Sequence, residues 1–164
     1  MNQTDILTLY DYTYWARDRV LRAAQQLTPE QFATPLVTGQ GSIRATLVHA
    51  LSAERNWRIR CQERVSPTGP LAEADYATLE ILTEQWHEEE ARMRGYLAAL
   101  TDEALQETMR YRTTQGVPFE HPLWQALFQA VNHGTQHRSE VALLLTAHGA
   151  SPGNLDFVVY LREK

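Results

Sequence analysis

The chain has 164 residues, of which 43% are hydrophobic and 21% charged, and its formal net charge is −5. This length is enough for a single domain, residues 1–164, with a substantial core. The acidic balance argues against nucleic acid or an anionic membrane as a partner, because both need clustered Lys and Arg. No apolar run approaches the roughly 20 residues of a membrane span, and the first residues lack the features of a signal peptide. We therefore expect a cytoplasmic protein.

Four stretches of the chain carry apolar residues at the three- and four-residue steps of an amphipathic helix. The first is unusually aromatic around Tyr12, Tyr14 and Trp15, which indicates core packing or, alternatively, a substrate-binding surface. Arg17 interrupts the apolar stripe of this helix. Cys61, the single cysteine, falls in the second helix and is expected to be a buried structural thiol. The four predicted helices cover residues 4–27, 43–65, 76–100 and 122–148.

The connections between these helices carry turn signals. Thr28 and Pro29 resemble the cap and first position of a short helical turn, and Gly39 to Gly41 break the chain. Residues 108–119 are compatible with a small hairpin or with an extended cross-connection, in which Pro118 limits regular pairing. Residues 151–164 are expected to pack back over the helices.

Four long helices, mostly with short connections, predict an all-α four-helix bundle. The connection between the third and fourth helices is the longest, and its length suits a crossover that would let these two helices run parallel. No repeat or linker divides the chain. The sequence thus predicts one helical domain.

The fourth helix contains two histidines, His133 and His137, four residues apart. This spacing turns them by about 40° and separates them by about 6 Å along the axis, so both imidazoles leave one face. Such a pair can bind one divalent metal ion or form a polar patch, and His137 occupies a core-facing position. Gly134 follows His133, which excludes the HExxH motif of thermolysin-type zinc proteases. The sequence also lacks the pair of Glu-x-x-His motifs that is typical of a di-iron bundle.

The sequence from Asn132 to Phe157 resembles the signature end of the DinB family, the DinB/YfiT-like metalloenzymes. The resemblance extends upstream to His49 and Trp57 in the second helix and to the aromatic first helix, and so covers nearly the whole chain. One departure is His148, where the family pattern has an apolar residue. The resemblance implies a four-helix bundle that carries a metal site with three histidine ligands.

Carried over by position, the ligands of this site are His49, His133 and His137. His49 is assigned by the family pattern. Helical spacing would not select it, because its position lies off the main apolar stripe of the second helix. Three imidazoles leave coordination positions open for water or substrate, as in a catalytic site. Zinc or nickel is the expected ion, and iron or manganese also accepts imidazole ligands.

The resemblance also implies a function. Relatives of this fold include transferases that use low-molecular-weight thiols, which suggests a thiol S-transferase that acts on a small-molecule substrate in detoxification or stress response. A metal-dependent hydrolase and a non-catalytic metal-binding or ligand-binding stress protein are the alternatives. A homodimer is plausible for this family.

Several polar residues near these histidines have open roles. Asn132 and Glu54 are candidate hydrogen-bond partners of the metal ligands, which usually need such partners. Arg138 and Glu140 are expected in ion pairs or an interface, and Gly134 is expected to let another element approach closely. Elsewhere, surface positions are predicted for His87, His121 and the acidic run Glu88 to Glu90.

Overall fold

The computed structural model of the protein describes residues 1–36, 40–113 and 115–164, so Gly39 of the predicted chain break lies outside the described residues. The chain is mostly helical, in agreement with the all-α prediction. The long helices are α1 (Gln3–Ala24), α3 (Ile43–Gln62), α4 (Leu79–Ala98) and α6 (Leu123–Ala147). The short helices are α2 (Pro29–Ala33), α5 (Asp102–Gln106) and α7 (Phe157–Glu163), and a 3₁₀ turn covers Glu73–Asp75. Among the residues that the structure describes, no helix meets the length and hydropathy requirements of a membrane span.

Side-chain caps fix where these helices begin. The Ser42 hydroxyl accepts a hydrogen bond from the Ala45 amide at 2.9 Å, and α3 begins at the next residue, Ile43. The Thr28 hydroxyl caps α2 in the same way, which confirms the predicted helical turn. Thr78 caps α4, so this helix begins three residues later than the predicted residue 76. A cap satisfies backbone amides that have no partner inside the helix. It therefore marks the first residue of a helix more closely than apolar periodicity does.

Between α5 and α6 the chain forms a small hairpin, which is one of the two alternatives that the sequence left open. Strand β1 (Thr108–Arg112) pairs antiparallel with β2 (Pro118–Pro122), with Pro118 opposite Arg112 at the outer end. The prediction that His121 is exposed is wrong, because this residue pairs with the fully buried Met109 and is itself half-buried. Residues directly opposite each other in a hairpin share a face, so the burial of one predicts the burial of the other.

The long helices pack against one another around a common interior. Helix α6 packs against α1 and α3, and α4 packs against the same two helices. One core cluster lies between α1, α3, α4 and the C-terminal part of α6, and a second lies where α1, α4 and α6 meet the hairpin. The first cluster includes Leu47, Leu82 and Trp86, and the second includes Tyr10, Met93 and Leu127.

The prediction of a solvated acidic face on α4 is correct for Glu88 and wrong for its two neighbours. Glu89 is 1% exposed and pairs with the Arg58 guanidinium of α3. Glu90 pairs with Arg17, the residue that interrupts the apolar stripe of α1 and is itself 1% exposed. The arginines on the facing helices satisfy these carboxylates, which a single-helix pattern does not show.

The C-terminal segment packs back over the helices as predicted. Helix α7 lies against α1, with the Tyr160 ring centred 5.9 Å from Tyr12 and 5.7 Å from Trp15. The Tyr12 hydroxyl donates a hydrogen bond to the Leu155 carbonyl at 2.9 Å. The aromatic segment of α1 therefore serves in packing between helices.

Candidate metal centre

Helices α3 and α6 carry the histidines of the candidate site on facing surfaces. His49 lies near the start of α3, one turn after Ala45, whose amide binds the Ser42 cap. His133 and His137 lie one turn apart in α6, and their ring centroids are 4.4 Å apart. The four-residue spacing thus brings both imidazoles to one face, as the sequence predicts.

The fold brings His49 to this pair. Its ring centroid lies 5.2 Å from that of His133 and 4.6 Å from that of His137. One candidate ligand atom of each side chain lies within 4.8 Å of the corresponding atoms of the other two. Three imidazoles at this separation could hold one metal ion between them.

Electrostatics favour the neutral form of two of these imidazoles. Burial lowers the pKa of His133 to about 4, with smaller contributions from His137 and His49. Burial also lowers the pKa of His49, again helped by His137. At neutral pH both side chains are therefore uncharged, which is the form in which imidazole binds a metal ion.

The buried polar atoms at the site fit a metal ion. Nε2 of His133 is buried and has no hydrogen-bond partner among the described residues. An unpartnered buried nitrogen costs free energy, and a bound cation would remove that cost. The donor set, three imidazole nitrogens, is one that zinc and other divalent transition metals accept.

The sequence interpretation missed the residue that holds His137 in place. Nδ1 of His137 lies 2.8 Å from a carboxylate oxygen of Glu140, one turn further along α6. A carboxylate at this position accepts the Nδ1 proton and leaves Nε2 free for a metal ion. The His-x-x-Glu spacing in the sequence is a signal that could have identified this pair.

The two hydrogen-bond partners proposed for the metal ligands do not contact them. Asn132 is exposed, on the outer side of α6. Glu54 is buried, and its two carboxylate oxygens accept hydrogen bonds from the Tyr14 hydroxyl and the Trp86 indole, each at 2.9 Å. Burial raises the pKa of Glu54, against the effect of these two hydrogen bonds. Both predictions are therefore wrong, because the burial of a carboxylate does not determine which donors surround it.

Arg138 is buried inside the protein and has no carboxylate partner among the described residues, contrary to the expected ion pair. Its guanidinium donates to the Thr135 hydroxyl at 2.8 Å and lies over the Tyr12 ring. Gly134 provides the room, since a Cβ there would lie 2.9 Å from an Arg138 nitrogen. The expectation that Gly134 admits another element is wrong, because the group that approaches it belongs to its own helix.

The remaining histidines and the cysteine lie outside the three-histidine group. His87 is exposed on α4, as predicted, and His148 is exposed where it caps α6. Cys61 is 1% exposed, and burial raises the pKa of its thiol to about 12, which agrees with the structural role predicted for it.

The model of the DinB family matches residues 1–164, the whole chain. The chain belongs to the DinB family. No curated protein matches the sequence. For this DinB protein the resemblance recognised in the sequence is therefore confirmed over the full length, and three of the histidines in the described residues lie within metal-binding distance of one another.

Proposed function

We propose that this DinB protein is a metal-dependent enzyme in which His49, His133 and His137 bind one divalent ion. The observation that carries this proposal is the convergence of three imidazoles from two helices, with their candidate ligand atoms within 4.8 Å. The unpartnered, buried Nε2 of His133 supports it, because a metal ion is a partner that this nitrogen lacks.

Zinc or nickel is the ion that we propose, and iron or manganese is the alternative. Three protein ligands leave at least one coordination position open, which is the arrangement of catalytic zinc sites. When bound, such an ion acts as a Lewis acid and lowers the pKa of a thiol or water in the open position.

The residues around the site suit small-molecule chemistry. His49 and His133 are only half-buried, so a ligand can reach the open side of the histidine group. Glu140 fixes the ring of His137 through Nδ1, which keeps its other nitrogen directed at the site. These features support access and orientation, the two requirements that an open metal site places on the protein.

The reaction that we propose is the transfer of a low-molecular-weight thiol to an electrophilic small molecule, in detoxification or stress response. Resemblance to DinB-fold transferases supports this choice. Hydrolysis of an ester or amide by metal-activated water is the second enzymatic candidate. A non-catalytic metal-binding or ligand-binding stress protein is the alternative outside enzymology.

We also propose that residues 1–164 form one domain, a four-helix bundle of α1, α3, α4 and α6. The long connection between α4 and α6, which contains α5 and the hairpin, supports a crossover at this point. A cytoplasmic homodimer is part of the same proposal. Phe128 and Leu143 support dimerisation, since both are exposed apolar residues on α6.

Elemental analysis of gently purified protein tests the metal site. We expect one equivalent of a divalent metal in the unmodified protein and less than about a tenth of that in His49→Ala, His133→Ala and His137→Ala. The exposed His87→Ala on α4 is the matched control and should keep the full equivalent. Full metal retention in the His49→Ala protein would remove this residue from the ligand set.

Turnover of a panel of thiols and electrophiles by metal-loaded protein tests the reaction. Thiol-dependent product formation that disappears in His137→Ala supports the transferase. Ester or amide cleavage without thiol would favour the hydrolase instead. Metal binding with no rate above that of His137→Ala, across both panels, would favour the non-catalytic alternative.

A further inference from the structure

A second group of side chains lies along the same pair of helices as the three histidines. On α3, Trp57 follows His49 by eight residues, which is about two turns and about 12 Å along the axis. On α6, Gln129 precedes His133 by four residues, one turn in the opposite direction along the chain. Four-residue steps keep side chains on one face of a helix, so Trp57 and Gln129 continue the two facing surfaces that carry the histidines.

These two residues line one cavity. It has a volume of about 330 Å³ and is bounded by Trp57, Tyr111, His121, Gln125, Ala126 and Gln129. The cavity is therefore bounded by α3 on one side, α6 on another and the hairpin at its end, and it opens to solvent beside the exposed Gln125 and Gln129. A volume of this size falls in the range of small-molecule sites.

Aromatic rings form much of the cavity wall. The Trp57 and Tyr111 rings meet edge to face with their centroids 5.2 Å apart, and the His121 ring lies 6.0 Å from that of Tyr111. Rings in contact with one another have little freedom to move, so the wall is largely formed before a ligand binds. Such a wall favours the flat face of an aromatic or otherwise planar molecule.

A buried positive charge lies against two of these rings. The Arg60 guanidinium is centred 5.0 Å from the Trp57 ring and 5.7 Å from the Tyr111 ring. Arg60 is 8% exposed, and its Nε is buried without a hydrogen-bond partner in the described part of the chain. No carboxylate of the described residues pairs with it, in contrast to the buried Arg17 and Arg58. An unpaired buried cation raises the electrostatic potential around it and favours a nearby anion.

The polar groups of the cavity are compatible with an anion. Gln125 and Gln129 line the cavity with exposed side chains, whose amide N–H groups are potential donors. The six lining residues include no aspartate or glutamate, although the chain as a whole is acidic. The wall thus combines planar rings, potential donors and a positive charge behind the rings.

We propose that this cavity is a substrate subsite that binds a planar, negatively charged small molecule, such as an aromatic carboxylate. The ring of the ligand lies against Trp57 and Tyr111, and its carboxylate accepts hydrogen bonds from Gln125 and Gln129. The assignment of a substrate class rests on the proposed function, because it takes the bound molecule to be the electrophile. The cavity would hold this electrophile one to two turns from the histidines. As a binding site, the cavity is independent of the metal.

Calorimetric titration with two probes of equal shape tests the proposal, namely 2-naphthoate and its neutral amide, 2-naphthamide. We expect the unmodified protein, stripped of metal with a chelator, to bind the carboxylate about tenfold more tightly than the amide. Stripping the metal ensures that a bound ion cannot capture the carboxylate. A second titration of metal-loaded protein measures any contribution from the histidine site.

Variants assign the binding to this cavity. Arg60→Gln should reduce the preference for the carboxylate to about twofold or less, because the positive charge is removed. Arg55→Gln, on another face of the same helix, makes the same change in net charge and should leave the preference intact. Gln129→Leu should lower the affinity for 2-naphthoate by about threefold to tenfold, whereas Gln85→Leu on the exposed surface of α4 should leave this affinity unchanged. Gln129 is exposed, so its variant keeps the test valid even if Arg60→Gln does not fold.

The outcomes separate this proposal from the proposed function. Equal affinity for carboxylate and amide, or equal effects of each variant and its control, overturns the subsite. A specific subsite in a protein that never takes up metal contradicts the proposed enzyme and leaves the cavity as a binding site. Metal-dependent turnover with no binding of 2-naphthoate outside the histidine site keeps the enzyme and rejects the subsite.

Discussion

At the scale of single residues, Glu140 contacts one of the three histidines directly. It is exposed to solvent but lies 2.8 Å from Nδ1 of His137. We expect Glu140→Ala to lower metal affinity by about 10- to 100-fold, the usual cost of removing such a partner. Competition with a chelating dye measures the affinity. Glu84→Ala, at an exposed position of α4, should leave it unchanged, and an equal loss in both variants would argue against a specific role of Glu140.

Cys61 illustrates how burial controls reactivity. Because burial raises the pKa of its thiol to about 12, we expect almost no thiolate and only slow reaction with a disulfide reagent at pH 8. The raised pKa also means that folding stability falls as pH rises from the ordinary value of 9.0 toward about 12. Rapid reaction of the native protein would contradict this. Ser151→Cys, which adds an exposed thiol in the Cys61→Ala background, is the fast-reacting control.

Two helical glycines allow a test of the Arg138 packing. Gly95 is exposed on α4, and a Cβ there would meet no atom within 4 Å. Gly95→Ala should therefore raise the free energy of unfolding by up to about 1 kcal/mol through helix propensity alone. Gly134→Ala should gain less or lose stability, because its Cβ would lie 2.9 Å from the buried Arg138 guanidinium. Urea unfolding of both variants measures the difference, and equal gains would show that Arg138 moves freely.

At the scale of helices, a buried ion pair joins α3 to α4. The side chains of Arg58 and Glu89 are 7% and 2% exposed. We expect Glu89→Ala to lower the free energy of unfolding by about 3–5 kcal/mol, because it leaves a buried guanidinium without its main partner. The exposed Glu88→Ala, which breaks a pair with Arg92, should cost no more than about 1 kcal/mol. The double variant Arg58→Met, Glu89→Leu should recover much of the loss, since neither charge then remains buried.

At the scale of the whole molecule, metal binding should stabilise the fold. The three histidines come from two helices that are distant in sequence, so an ion held between them binds the folded state only. At a free metal concentration 100 times Kd, the expected gain is about 2.7 kcal/mol. For a chain of this size, that gain corresponds to a rise in Tm of about 5–10 °C. Thermal unfolding with and without a chelator measures the shift, and His133→Ala should show none.

The sequence predicted the positions of the helices better than the contacts that side chains make between helices. Apolar residues spaced three and four positions apart identified α1, α3, α4 and α6, because this periodicity is a local property of each helix. The sequence pattern does not show that Glu89 and Glu90 form ion pairs inside the protein, because their partners, Arg58 and Arg17, lie on other helices. A charged residue looks the same in sequence whether it faces water or a buried arginine.

The amino-acid sequence by itself determined the helical class, the shared face of His133 and His137, and membership of the DinB family, because these depend on local spacing or on pattern along the chain. Only the tertiary structure decided that His49 meets this pair and that Glu140, rather than Asn132 or Glu54, contacts it. It alone revealed the cavity between α3, α6 and the hairpin. The physical reason is that contacts between helices depend on how the helices are rotated and offset, which no single helix encodes.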